Sequence, residues 1–182
     1  VVCSSDLPNP FHTIGSAMAV KALKYVKAGG MNRRQGGEDF YFIQKLVSGD
    51  DFINLTGTTV YPSPRLSLRV PFGTGPVISK LLNEEDHTYL TYNADSFIQL
   101  KALFDKLTAV AHDRHTDEIS YGEIGEAIRL VIEKKEWEDK YREIKNNTGT
   151  AEMFVKRFFS WFNTFTIVKY LNASHNDFYK KV

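Results

Sequence analysis

A mainly α-helical α+β chain is what the sequence predicts, and three observations predict it. Apolar residues recur at helical spacing over most of the length, with capping residues at the starts of several stretches. One run, Gly57-Thr58-Thr59-Val60-Tyr61, is β-branched and reads as a short strand. A segment dense in proline and glycine, Pro62 to Pro76, follows that strand and is incompatible with regular structure.

Taken in order, Val1-Val2-Cys3 reads as the tail of a strand followed by the turn-like Ser4 to Pro10, so the chain is expected to begin inside a fold. From Gly15 a short helix is expected, with Met18, Ala19, Ala22, Leu23 and Val26 as its apolar stripe and Gly29-Gly30 as its stop. Met31 to Gly37 is polar and glycine-containing, hence a loop. Glu38-Asp39 opens a second helix with Phe40, Ile43, Leu46 and Val47 at core spacing and Gly49 as its end. Beyond the proline-rich stretch, Ser96 with Gln99 forms a capping box ahead of Phe97, Leu100, Leu103, Phe104, Leu107 and Val110. Ser120 with Glu123 forms another, opening one long helix through Ile124, Ile128, Val131, Trp137, Tyr141 and Ile144. Gly149 interrupts the chain, and Thr150 starts a helix carrying Phe154, Phe158, Trp161, Phe162, Phe165 and Val168. Ser174 is placed as the cap of a last short helix. The charges between Glu133 and Lys145 form a solvated helix face.

Bulk properties narrow the function classes. The 182 residues are 42% hydrophobic, enough for a core of ordinary size. Lys and Arg number 23 against 22 Asp and Glu, so no global field favours nucleic acid, which is excluded as a partner. Cys3 stands alone, which removes intrachain disulfides and cysteine-based zinc sites. No apolar run reaches the ~20 residues of a membrane helix. Asn54, Asn146 and Asn172 begin glycosylation sequons, read as chance matches in a chain without secretory features.

The most pointed chemistry is Gly36-Gly37-Glu38-Asp39 at a loop-to-helix junction. Acidic residues in a first turn lie at the positive end of the helix dipole, where negative charge is stabilised by ~0.3–1 kcal/mol. The glycines ahead of them leave room for a substrate to approach the carboxylates. A carboxylate in an open loop suits general-base work on a hydroxyl; the bland reading is that the pair only stabilises the helix. His112 and His115 share a helix face, yet a metal site needs a third ligand, and histidines at a helix end are ordinarily exposed. Gly73-Thr74-Gly75 lacks the third glycine and preceding strand of a dinucleotide fingerprint and is read instead as a loop, a candidate lid. Phe159 and Trp161 fall off the main aromatic stripe and are read as a face for a partner or an absent half of the fold.

Asn9 to Ser16, Gly29 to Phe42 around Gly-Gly-Glu-Asp, Val60 to Arg65, and Arg69 to Gly75 occur in an order and spacing that resembles the family 2 group of GT-A-type glycosyltransferases. The likeness covers roughly residues 9 to 78. It implies that residues 1–80 are the acceptor-side part of a catalytic domain, a partial GT-A domain, and that 81–182 are a C-terminal helical extension. In that family a Rossmann-like N-terminal half with an Asp-x-Asp motif binds the nucleotide-sugar donor and a divalent Mg or Mn; no Asp-x-Asp occurs here, so most metal ligands are expected outside this chain.

By resemblance, Asp39 is the base that deprotonates a glycan acceptor hydroxyl for a single inverting displacement, and Glu38 assists; which of the two is the base stays open. The same resemblance places Gly36, Gly37 and His12 at the substrate, His12 either hydrogen-bonding the acceptor, assisting the metal or serving as a structural loop residue. Arg33, Arg34, Arg65 and Arg69 lie near the acidic pair in sequence and are candidates for neutralising a leaving diphosphate, set against the bland reading that arginines in polar loops are simply solvated. Sugar transfer in polysaccharide biosynthesis is expected, in the cytoplasm or at the inner face of the membrane, with the isolated chain inactive and its apolar surface favouring self-association. The alternative is a non-catalytic helical protein-interaction module.

Overall fold

The computed structural model describes residues 18–33, 37–47, 53, 55, 57–61, 74–83, 90–112 and 118–180. They belong to two compact units, one within residues 11–89 and the other including residues 90–182. Every regular element among the described residues is helical. This corrects the α+β expectation. Residues 57–61, expected as a strand, have no strand partner among the described residues and are solvent-exposed throughout, Tyr61 at 88%. β-Branched composition favours a strand only where neighbouring strands pair its backbone and a packed face receives its side chains, and the described residues supply neither.

The first unit holds α1 (Ala22–Lys27), α2 (Glu38–Val47) and α3 (Thr74–Asn83). Helix α1 starts later than its apolar stripe suggested, since residues 18–21 are not helical, and Leu23 and Val26 point to solvent. Its end is as expected. Gly29 and Gly30 take left-handed φ values of 72° and 67°, and the Gly30 N–H donates to the Tyr25 carbonyl at 2.9 Å. The Tyr25 ring packs on Phe42 of α2 with centroids 5.1 Å apart, and Lys45 Nζ donates to the Ala28 carbonyl at 3.3 Å, so α1 and α2 are tied at both ring and backbone. On α2 the buried side chains are Phe42 and Ile43. The sequence stripe named Ile43 and missed Phe42, whose partner Tyr25 is remote in sequence. Thr74, Gly75 and Pro76 form the first turn of α3, overturning the loop and lid reading there; a proline in a first turn sacrifices no helical hydrogen bond because its N–H would be unpaired anyway.

The second unit contains α4 (Ala94–His112), a 3-10 turn at Tyr121–Glu123, α5 (Glu126–Arg129), α6 (Lys134–Asn146), α7 (Ala151–Trp161) and α8 (Thr164–Asp177). Helix α4 packs on α7, α6 on α7 and α5 on α8. The core joins Leu100, Leu103, Phe104 and Leu107 of α4 to Trp137 and Tyr141 of α6, Phe154 and Phe158 of α7, and Tyr170 of α8. Trp137 is 1% exposed and its indole Nε1 donates to the Ile119 carbonyl at 3.0 Å, closing the 118–120 segment over the bundle.

Several boundaries differ from the sequence reading for identifiable reasons. Helix α4 begins ahead of Ser96 because Asn93 Oδ1 accepts the Asp95 N–H at 2.9 Å; Ser96 is buried and its hydroxyl donates to the Asn93 carbonyl at 2.6 Å. The Ser120–Glu123 capping box is present but opens only the 3-10 turn. Gly125, at φ 84° and ψ 140°, then separates that turn from α5, and residues 130–133 separate α5 from α6, so the expected long helix is interrupted twice. Asn163 likewise splits the expected aromatic helix, its Oδ1 accepting the N–H groups of Phe165 and Thr166 as the cap of α8. Ser174 lies buried inside α8, with its hydroxyl donating to the Leu171 carbonyl at 3.3 Å, and caps nothing. Phe159 and Trp161 are engaged within the bundle, Phe159 edge-on to Phe104 at 4.9 Å and Trp161 against Phe158 at 5.4 Å, so they do not form a free partner-binding face. The 134–145 charges are solvated as expected and pair along the helix, Lys140 with Glu143 at 2.7 Å and Lys134 with Glu138 at 3.8 Å.

Candidate functional site

The glycine and acidic residues meet where the loop enters α2. Gly37 adopts φ 74°, a left-handed value that suits glycine, and its carbonyl accepts the Tyr41 N–H at 3.1 Å. A side chain at Gly37 would be strained by that backbone more than by crowding, since the nearest atom to an added Cβ is Tyr41 Cε2 at 4.0 Å. Glu38 and Asp39 therefore occupy the first turn of α2, both half-buried. The unpaired N–H groups of that turn give it a positive end. Asp39 Oδ1 accepts the Phe40 N–H at 2.7 Å, which fixes one carboxylate oxygen toward the helix start. Glu38 has no ion-pair partner among the described residues.

The turn is held from below. Phe42, on the second turn of α2, is buried against Tyr25, and the Tyr25 hydroxyl accepts the Met31 N–H at 3.1 Å. The Gly30 turn is needed for this: a Cβ there would lie 3.2 Å from Tyr25 Cε1. Tyr25, Gly30 and Phe42 are thus positioning residues for the acidic turn that the sequence reading did not single out. The available signal was the Gly29-Gly30 pair, whose second glycine has a packing as well as a conformational role.

Of the other predicted site residues, His12, Arg34, Gly36, Arg65 and Arg69 lie outside the described residues. Arg33 is described and exposed, three residues of sequence short of Gly36. His112 ends α4 on the surface, and His115 lies outside the described residues. Among the described residues no three His, Cys, Asp or Glu side chains come together to hold a metal ion, and Glu38 with Asp39 supply two carboxylates at most.

Among its described residues the second unit offers shallow depressions and no convergent chemistry. One of about 240 Å³ lies between residues 118–121 and α6, and one of about 170 Å³ is bordered by Gln99, Gly125 and Tyr170. Both are below the ~300–1,000 Å³ of usual small-molecule clefts. The charged groups of the larger are already paired, Glu118 with Lys145 at 3.1 Å and Arg142 with Asp139 at 3.9 Å. Tyr141 lies beneath it with burial raising its hydroxyl pKa; the Ile119 backbone opposes that shift without reaching hydrogen-bonding geometry, so the hydroxyl stays unpartnered and sealed from solvent. Hydrogen bonds from Lys106 and then from Ser120 lower the Glu123 carboxyl to about 2. Those partners join α4 to the 3-10 turn, which is a structural role.

No protein-family model, curated protein or solved structure matches the chain. No helix among the described residues is long and apolar enough to cross a membrane.

Proposed function

We propose that the chain carries the acceptor-side, base-bearing portion of a nucleotide-sugar-dependent glycosyltransferase, with the donor-binding half lying outside it. The observation that supports this most is the α2 entry turn. Gly37 in a left-handed conformation delivers two half-buried carboxylates to the positive end of a helix, within a Gly-Gly-Glu-Asp segment that resembles the family 2 motif.

In this reading Asp39 takes the proton of an acceptor hydroxyl as that oxygen attacks the anomeric carbon. The carbon–oxygen bond to the nucleotide diphosphate breaks, and the electron pair leaves with the diphosphate. Glu38 orients the acceptor. Arg33, with Arg34, Arg65 and Arg69, supplies positive charge toward the leaving group. A divalent Mg or Mn would be held mainly by the donor half. The isolated chain is inactive, because base and donor must share one geometry. Exposed Leu23, Val26, Ile53 and Leu55 in the first unit favour self-association in its absence. The setting is glycan synthesis on the cytoplasmic side of a membrane.

The test uses the full-length protein with a panel of nucleotide sugars, simple methyl glycosides as acceptors, and Mg or Mn. Nucleotide diphosphate release that depends on acceptor supports the proposal. Failure to bind or turn over any nucleotide sugar defeats it. A second reading, a non-catalytic helical interaction module, draws on the self-contained aromatic core of residues 94–177; it predicts partner binding that survives loss of both Glu38 and Asp39 carboxylates.

A further inference from the structure

We draw no further inference here: the strongest candidate, the exposed Leu23 and Val26 ridge of α1 beside Lys21 and Lys27, is an apolar face for which nothing in the structure shows what covers it.

Discussion

Replacing Trp137 by phenylalanine tests how the helical unit is closed. The indole Nε1 donates to the Ile119 carbonyl at 3.0 Å in the interior, and a phenyl ring cannot. Leaving that carbonyl unpaired costs ~1–3 kcal/mol. The smaller ring also leaves a void worth about 1 kcal/mol, while most contacts with Tyr141, Phe158 and Trp161, at 5.8 to 5.9 Å, are retained. The expected loss is therefore ~2–4 kcal/mol, with a fall in Tm of at least ~10 °C for a unit of this size. Trp161→Phe is the control, because Trp161 is half-buried and makes no hydrogen bond; it should cost under ~1 kcal/mol. Urea titrations followed by far-UV circular dichroism, with unchanged m values, measure both. Equal small losses for the two variants would refute the claim that the Trp137–Ile119 bond closes the 118–120 segment.

Two further predictions concern the same unit. Gly125→Ala should cost ~1–3 kcal/mol from backbone strain alone, since Gly125 sits at φ 84° while the nearest atom to an added Cβ, Gln99 Oε1, is a comfortable 3.7 Å away; a thermal melt indistinguishable from the parent contradicts this. Glu123 titrates at about 2 when folded against an ordinary 4.5, so its contribution is present above pH 4.5 and is lost as the pH falls toward 2. Glu123→Gln should accordingly flatten the decline in urea midpoint between pH 5 and 2.5, and an unchanged acid slope would remove the Lys106–Glu123–Ser120 cluster from the account.

At α2 and α7 the helix start was legible from the stripe together with its first-turn or capping residue. Thr150, whose hydroxyl accepts the Met153 N–H at 3.3 Å, starts α7 where the sequence placed it, and Glu38 starts α2 likewise. The missed helix boundaries of the second unit lie inside continuous apolar stripes. The apolar periodicity runs on through Gly125 and the Phe162–Asn163 step while the backbone leaves the helix, at Gly125 because its φ of 84° is not helical and at Asn163 because its side chain caps the next helix. Periodicity records which side chains are buried, not whether they belong to one helix. The strand at 57–61 failed for the complementary reason: local propensity was read without a partner to pair it. At the candidate site the acidic turn was legible from two glycines and two acids, whereas its support by Tyr25 and Phe42 depends on a contact across 17 residues that no local pattern encodes.

The decisive experiment is Asp39→Asn in the full-length protein, compared with Glu38→Gln, reading sugar transfer and nucleotide affinity separately. Amide replacement keeps shape and removes proton-accepting capacity, so transfer should drop at least ~100-fold with Asp39→Asn while nucleotide affinity holds within a few-fold. Undiminished transfer by that variant would mean the carboxylate at the mouth of α2 is a helix-start device and takes no proton from any sugar.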